Sequence, residues 1–137
     1  MADTLELELV SPESLLMTQA VEMVVVPGEE GDFGVLPGHA PMISTIRPGT
    51  LAVFEDGKVA QHYFLAGGFA EVTTERCTIL AEGAIRLEDI DRAALEQELR
   101  DLREDVGVAG DETAVVSLQI AEAKLQALDS PTYAGAH

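Results

Sequence analysis

The spacing of apolar residues changes once along this chain, near residue 85. Before that point apolar and polar residues alternate in short runs, as from Leu5 to Leu9, and Gly or Pro separates the runs. Alternation with a period of two is typical of strands with one buried face. From Leu95 to Val106 the apolar residues instead recur every three or four positions, which indicates a helix. The sequence therefore predicts a strand-rich part followed by a helical part.

Turn signals divide the strand-rich part into short strands. Asp56-Gly57 lies between two β-prone runs and predicts a two-residue hairpin, because a type I′ turn needs positive φ at both positions. A second hairpin is expected around residues 74–76. Pro27-Gly28 is expected to end a strand that begins at Val21. A series of short strands with regular turns is typical of a β-sandwich or barrel.

The helical part reads as two helices. Glu88 or Asp89 is expected to cap the first helix, and Gly107 and Gly110 are expected to end it. Asp111 is expected to cap the second helix.

The apolar stripe of the second helix runs over residues 115–128. Two helices joined by a short loop form an antiparallel hairpin, which has a seam but no enclosed core. Its stripe must therefore pack on the sandwich or on another protein.

These patterns predict the fold class, an N-terminal antiparallel β-sandwich followed by a C-terminal antiparallel two-helix hairpin. The expected segments are a sandwich over residues 1–85, a hairpin over residues 86–130 and a flexible tail over residues 131–137.

The charge of the chain excludes some classes of partner. Eight Lys and Arg stand against 25 Asp and Glu, so the formal net charge is −17. Phosphate backbones and anionic lipids would repel such a polyanion, and we expect no nucleic-acid partner and no membrane-surface role. Cys77 is the single cysteine, so no internal disulfide can form and a reducing compartment is expected. The first six residues lack the basic start and apolar core of a secretory signal, and no apolar run is long enough for membrane insertion.

Residues that could carry catalysis or bind a metal lack the spacing that such chemistry needs. The glycines between residues 24 and 48 are not followed by the Lys-Ser or Lys-Thr of a phosphate-binding loop, and they predict rigid turns. His39 has no metal-ligating partner at ligand spacing, since His62 and His137 provide none. The carboxylates fall mostly on alternating strand positions or exposed helix faces, where solvated surface is expected. The sequence therefore predicts no catalytic residue, no metal site and a protein that acts by contact.

Five segments together resemble a known family. They are similar to the signature stretches of the epsilon subunits of rotary proton-translocating ATP synthases, and the resemblance extends from about Leu5 to Leu128. The segments are Leu5–Pro12, Val25–Gly28, Gly34–Pro41, Arg47–Gly49 and Ala66–Val72.

The resemblance implies a fold, partners and a role. The sandwich would bind the gamma subunit, lie on the ring of c-subunits and rotate with the central shaft, coupling proton flow to ATP synthesis without chemistry of its own. The helical hairpin would fold against the sandwich, or extend along gamma into the alpha/beta catalytic head and hinder hydrolysis. Such a subunit is peripheral, on the cytoplasmic face of a bacterial inner membrane.

The resemblance also assigns interface residues. The turn of Glu29, Glu30, Gly31 and Asp32 corresponds to the family's turn that faces the c-ring, and His39 corresponds to a histidine near gamma and the ring. These residues would provide orientation more than raw affinity.

Some members of the family bind ATP through an Ile/Leu-Asp-x-x-Arg-Ala motif. Here Asp89, Arg92 and Ala93 match, but Glu88 replaces the leading aliphatic residue, and Arg100 is a candidate phosphate partner. Neighbouring acids oppose a triphosphate, so ATP is expected only as a weak regulatory ligand and no other cofactor is expected. The same acidity predicts that the hairpin is a poor brake on ATP hydrolysis.

Two further hypotheses remain open from the residues alone. One is a free-standing acidic β-sandwich adaptor, which would not associate with gamma. The other is a small carboxylate hydrolase, which would need two inward-facing acids in a concave pocket.

Overall fold

The computed structural model describes residues 4–109 and 112–130. The strands come first, and the predicted fold class of a sandwich followed by a helix pair is confirmed. The strands are β1 (Leu5–Val10), β2 (Leu15–Val21), β3 (Met23–Gly28), β4 (Gly31–Val35), β5 (Met42–Ile46), β6 (Gly49–Glu55), β7 (Lys58–Leu65), β8 (Gly68–Val72), β9 (Arg76–Ala81) and β10 (Ala84–Arg86). A 3₁₀ turn (Leu87–Asp89) leads to α1 (Arg92–Ala109) and α2 (Glu112–Asp129).

The strands hydrogen-bond in the order β10-β7-β6-β3-β5-β8-β9-β1-β2, and β4 pairs with β3 outside this path. One layer consists of β10, β7 and β6, and the other of β5, β8, β9, β1 and β2. β3 joins these two layers, because it pairs with β6 over Met23–Val25 and then with β5 where Gly28 faces Ile46. Pairings among the described strands are antiparallel apart from that of β1 with β9.

The main core lies between the two layers. On β1 the leucines at positions 5, 7 and 9 are buried and the residues between them are not, as alternation predicts. The same cluster contains Val24 and Val26 of β3 and Ile79 of β9. Because residues of both layers belong to one cluster, the layers pack face to face.

The hairpin of α1 and α2 is docked on the outer face of β6 and β7. Phe64 of β7 forms an apolar cluster with Leu87 and with Ala127 of α2. β6 is buried on both faces over residues 50–54, and accordingly its sequence does not alternate. The hairpin lies beside Thr50, whereas Ala52 and Phe54 are buried in a separate cluster with Val25 of β3. The sequence allows the apolar face of the hairpin to pack on the sandwich or on another protein. In this structure it packs on the sandwich.

Packing between the helices follows the predicted stripes. Leu95 and Leu99 of α1 pack with Ala121 of α2. At the open end of the hairpin, Arg92 Nη2 lies 2.6 Å from Asp129 Oδ1. Both side chains are about half exposed, so this ion pair adds at most about 1 kcal/mol.

The prediction for the Asp56-Gly57 turn is confirmed. Asp56 has φ 54° and Gly57 has φ 74°, which is the double positive φ of a type I′ hairpin.

Two predictions for residues 21–48 need correction. Pro27-Gly28 does end a strand, because β3 stops at Gly28, but this strand begins at Met23, after a break at Glu22, and not at Val21. Pro27 is tolerated because β3 has left β6 by then and no N–H donor to that strand is required. The glycine-rich segment that follows contains β4 and β5 rather than turns alone.

The predicted limits of α1 are also wrong. Asp91 caps the helix, since its Oδ1 accepts a hydrogen bond of 3.2 Å from the N–H of Ala94. Glu88 and Asp89 instead form the preceding 3₁₀ turn. The helix continues through Gly107 to Ala109. Gly110, Asp111, His137 and the predicted tail at 131–137 lie outside the described residues.

Candidate functional site

The predicted interface turn is the tip of the β3–β4 hairpin. Gly28 faces Gly31, so Glu29 and Glu30 are the two turn residues, and both are exposed. Gly31 has φ 137°, a conformation that side chains disfavour. We refer to Glu29, Glu30, Gly31 and Asp32 as the acidic tip.

Arg47 binds the base of the acidic tip. Its Nη1 donates to the carbonyl oxygen of Gly28 at 2.6 Å, and its Nη2 lies 2.7 Å from Asp32 Oδ1. Its backbone N–H donates to the carbonyl oxygen of Pro27 at 3.0 Å. The carboxylate of Asp32 is therefore paired, whereas Glu29 and Glu30 have their side chains at the surface.

An open groove of about 530 Å³ separates the acidic tip from β5. Residues 28–33 line one side and residues 42–45 the other. The N–H of Glu29 donates to the carbonyl oxygen of Thr45 at 2.9 Å, which joins the two sides at one end.

His39 lies outside this groove. Its Nδ1 is 2.7 Å from the carbonyl oxygen of its neighbour Ala40, as expected of a turn histidine. Its loop is joined to the β8–β9 turn, because the N–H of Gly38 donates to the carbonyl oxygen of Thr74 at 2.8 Å. The structure therefore does not place His39 among the residues that line the groove with the acidic tip.

A second surface, which the sequence reasoning missed, crosses the outer face of β5, β8, β9, β1 and β2. Phe69 pairs with Leu80 across β8 and β9, and Val10 pairs with both Leu80 and Leu15. Ile43, at 72% exposure, lies on β5 diagonally across from Phe69, since its direct partner on β8 is Glu71. We refer to Val10, Leu15, Ile43, Phe69 and Leu80 as the apolar stripe. Contiguous exposed apolar residues of this kind mark interaction surfaces.

The sequence did contain a signal for the stripe. In β8 and β9, Phe69 and Leu80 occupy positions that alternate with the buried Ala70 and Ile79. A large apolar residue at an outward position of an alternating strand is out of place unless something covers it. Only the register between strands shows that such positions are adjacent.

The structure does not bring the predicted ATP residues together. Arg92 Nη2 pairs with Asp129 Oδ1, and Arg100 Nη2 donates to Gln97 Oε1 at 2.7 Å. The two arginines are eight residues apart on α1, which corresponds to about 12 Å along the helix axis. Ala93 is exposed in the first turn of α1, and Asp89 belongs to the 3₁₀ turn.

The nearest concavity is a pocket of about 210 Å³ between the start of α1 and α2. Asp89, Asp91, Glu98 and Lys124 contribute its charged lining. The ammonium of Lys124 lies 5.9 Å from the centre of the Phe64 ring, a cation–π distance. Three carboxylates against one cation make this a poor site for a triphosphate in the docked hairpin.

Residues 4–109 and 112–130 offer few other groups for catalysis or metal binding. Within this part of the chain, no three His, Cys, Asp or Glu side chains are grouped as metal ligands. Thr50 is the one buried polar or charged residue of this part. Burial raises the pKa of the Cys77 thiol to about 12. None of the described helices has the length and apolarity to span a membrane.

Comparison with known proteins gives the family. Residues 4–87 match the family described as the beta-sandwich domain of the ATP synthase delta/epsilon chain. The ATP synthase epsilon chain of Rhodospirillum centenum is 60% identical over 111 residues, which are 77% of this chain and 76% of the relative. That of Rhodospirillum rubrum is 49% identical over 131 residues, which are 93% of this chain and 98% of the relative.

A solved structure extends the likeness to the fold. A chain of the mitochondrial ATP synthase of Euglena gracilis, determined in an assembly with the c-ring, superposes with a TM-score of 0.78 at 27% identity, over 95% of this chain and 82% of that chain. The family match covers the strands, and the similarity to the relatives extends over the hairpin as well. This chain therefore belongs to the family of ATP synthase epsilon chains, which are non-catalytic subunits of a rotary complex.

Proposed function

We propose that this chain is a rotor subunit in the central stalk of a proton-translocating ATP synthase, where it couples proton translocation to ATP synthesis. Its partners are the gamma subunit, the c-ring and, when the hairpin extends, the catalytic alpha/beta head. The observation that carries the proposal is the apolar stripe beside the acidic tip, in a chain of the epsilon family.

The apolar stripe is the surface for gamma. The docked hairpin covers the opposite layer, at β6 and β7, and leaves the stripe uncovered. A chain that exposes Phe69 and Ile43 on one face has a partner for that face, because covering the part of these side chains that is still exposed contributes up to about 1.5–3 kcal/mol each. A permanent shaft subunit provides a suitable apolar counterpart.

The acidic tip is the surface for the c-ring. Glu29 and Glu30 project from a hairpin that is fixed at its base, and they would meet polar or basic loops of the ring. Charge complementarity at such a rim contributes orientation and register more than affinity. His39 would lie near gamma and the ring, on a loop of its own.

The hairpin regulates weakly. The helices of the hairpin contain four Lys and Arg against eight Asp and Glu. The resemblance to the epsilon family implies that an extended hairpin meets an acidic stretch of the catalytic beta subunits. A hairpin of this charge would meet that stretch with like charge, which is unfavourable. The docked position on Phe64 is therefore favoured, and another factor would act as the brake.

ATP binds the hairpin weakly, and its site would involve Asp89, Arg92, Ala93 and Arg100. Because Arg92 is already paired with Asp129, ATP must displace that carboxylate before it gains the arginine. Calorimetric titration of the purified chain should show no micromolar affinity. Micromolar binding that is lost in Arg92→Ala would contradict this part of the proposal.

We place the subunit at the cytoplasmic face of a bacterial inner membrane, as a peripheral component held there by its partners. The alphaproteobacterial sources of the similar chains support this location. Washing of membranes at low ionic strength should release the chain together with gamma rather than alone.

Binding to gamma tests the proposed function. The substitution Phe69→Asp places a charge in the middle of the apolar stripe and should weaken binding to purified gamma at least about thirtyfold. Val116→Asp is the matched control, because Val116 on α2 is 54% exposed and Phe69 is 55% exposed. Unchanged binding by Phe69→Asp would exclude the stripe as the gamma surface.

A further inference from the structure

The acidic tip has backbone support on its β3 side only. β4 pairs with β3 and with none of the other described strands, so it is an edge strand. A two-stranded hairpin alone is marginally stable in water. Backbone hydrogen bonds to the end of β5 hold the β3 side of the tip, so the β4 side is the part that needs a side-chain contact to fix the direction in which Glu29 and Glu30 project.

Arg47 provides that contact from the end of β5. Its backbone N–H donates to the carbonyl oxygen of Pro27, and its guanidinium donates to the carbonyl oxygen of Gly28 on β3 and to the carboxylate of Asp32 on β4. The guanidinium therefore bridges both strands of the hairpin at its base, next to the two turn residues. Its planar array of donors holds two acceptors in a fixed geometry, whereas the ammonium of a lysine is a single point charge on a flexible stem.

The segment that presents Arg47 is itself closely packed. A Cβ at Gly49 would lie only 3.0 Å from Cβ of Pro27, so the backbone after Arg47 touches the base of the hairpin. A Cβ at Gly28 would lie 2.7 Å from the carbonyl oxygen of Gly31. Two glycines and a proline thus hold the arginine and its acceptors at short range.

The pairing of Arg47 with Asp32 also determines where the unpaired negative charge of the tip lies. Asp32 is neutralised by Arg47 at the base, whereas Glu29 and Glu30 keep their carboxylates at the outer end. We propose that Arg47 is the positioning residue that fixes the acidic tip, so that Glu29 and Glu30 meet a cationic partner surface in one orientation. The identity of that surface as the c-ring rests on the proposed function.

Amide hydrogen exchange in the full-length chain tests the positioning. The reporter is the N–H of Glu29, which donates to the carbonyl oxygen of Thr45. Arg47→Gln should accelerate its exchange about tenfold. Arg47→Lys and Asp32→Asn each keep part of the contact and should accelerate it less.

Two controls separate positioning from a general loss of stability. The amides of Ala70 and Ile79 in β8 and β9 should exchange at unchanged rates in Arg47→Gln. Arg76→Gln removes another half-exposed arginine, 3.5 Å from Glu6 and 3.6 Å from Glu8, and should leave the Glu29 amide unaffected. Unchanged exchange of the Glu29 amide in Arg47→Gln would overturn the assignment, as would equal acceleration throughout the sandwich.

The consequence for function is measured in the assembled, membrane-reconstituted ATP synthase. Arg47→Gln should reduce ATP-driven proton pumping at an unchanged rate of ATP hydrolysis, and Arg47→Lys should restore part of the loss. Full pumping by an Arg47→Gln enzyme with a loosened tip would overturn the role of the tip at its partner surface. Loss of gamma binding in Phe69→Asp would stand regardless, so the two proposals can fail separately.

Discussion

The sandwich depends on single glycines at positions where a side chain would clash with a neighbouring strand. Gly68 begins β8 at φ 135°, and a Cβ at this position would lie 1.9 Å from the carbonyl oxygen of Leu80. That oxygen belongs to the backbone of the neighbouring strand and cannot move aside. Gly107 in α1 is the opposite case, since a Cβ there would meet nothing within 4 Å.

These two glycines give opposite predictions for the same substitution. Gly68→Ala should lower the free energy of unfolding by about 3 kcal/mol or more, because the new methyl group displaces a ladder strand. Gly107→Ala should raise it by up to about 1 kcal/mol, because alanine favours the helix. Denaturant unfolding of both variants checks the pair, and a stable Gly68→Ala would contradict the β8–β9 geometry.

Cys77 predicts a pH dependence of stability. Its thiol is fully buried, and burial raises its pKa from 9.0 to about 12. Between these values the folded chain holds a proton that the unfolded chain has lost. The contribution of the thiol to the free energy of unfolding is therefore fully present below pH 9 and is lost as pH rises towards 12. The slope is about 1.4 kcal/mol per pH unit.

The measurement is the difference in unfolding free energy between the native chain and Cys77→Ala, from pH 8 to pH 11. Subtraction removes the contribution of other titrating groups. A difference that stays constant with pH would mean that the thiol is solvated rather than buried.

Local sequence was sufficient for some residues and insufficient for others. Asp56-Gly57 could be predicted because a type I′ turn is decided by two adjacent residues. The pairing of Arg47 with Asp32 could not, because 15 residues separate them and no local pattern gives their distance. For the same reason the sequence did not show that Arg92, a predicted phosphate ligand, is paired with Asp129.

At the scale of elements, the docked hairpin depends on a small apolar contact. Phe64 and Leu87 meet α2 at Ala127, and Lys124 lies over the Phe64 ring. Such a contact is enough to fix α2 on β6 and β7 and small enough to be released.

A charge in this contact should release the hairpin. Ala127→Asp places a carboxylate against Phe64, and amide exchange in α2 should rise at least about tenfold, because an unpaired charge cannot remain buried. Gln119→Asp, at an exposed position of α2, is the control and should change little. Amide exchange at Leu51 and Val53 in β6 should be unaffected. If the amides of α2 in Ala127→Asp remained as protected as in the native chain, the docking of the hairpin would be contradicted.

Elements were predictable where periodicity was sustained. Both helices and the β8–β9 pair follow from spacing alone. β4 and β5 were not predicted because the glycines within β4 and the prolines and glycines that flank β5 indicate turns, although tertiary pairing with β3 and β8 makes both segments strands. The change of layer within β3 lies beyond any local signal.

At the scale of the whole molecule, charge and shape divide the surface. The apolar stripe and the docked hairpin occupy opposite layers, and the acidic tip projects from β3, which joins them. Gamma, the ring and the hairpin can therefore contact separate surfaces of one body.

The acidity of the hairpin predicts weak inhibition. In the assembled enzyme, truncation of this chain after Arg86 should raise the rate of ATP hydrolysis by less than about twofold, because like charges disfavour the extended hairpin in the head. The assay compares the full-length and truncated chains at equal incorporation. A severalfold rise would show that the hairpin is an effective brake.

The most direct measurement of the central claim is proton-driven ATP synthesis by the reconstituted enzyme with and without this chain. ATP synthase depleted of the chain and placed in liposomes should lose ATP synthesis under an imposed proton gradient. Re-addition of the native chain should restore it, and re-addition of Phe69→Asp should not. Full synthesis by the depleted enzyme would contradict the account of this chain as a coupling rotor subunit.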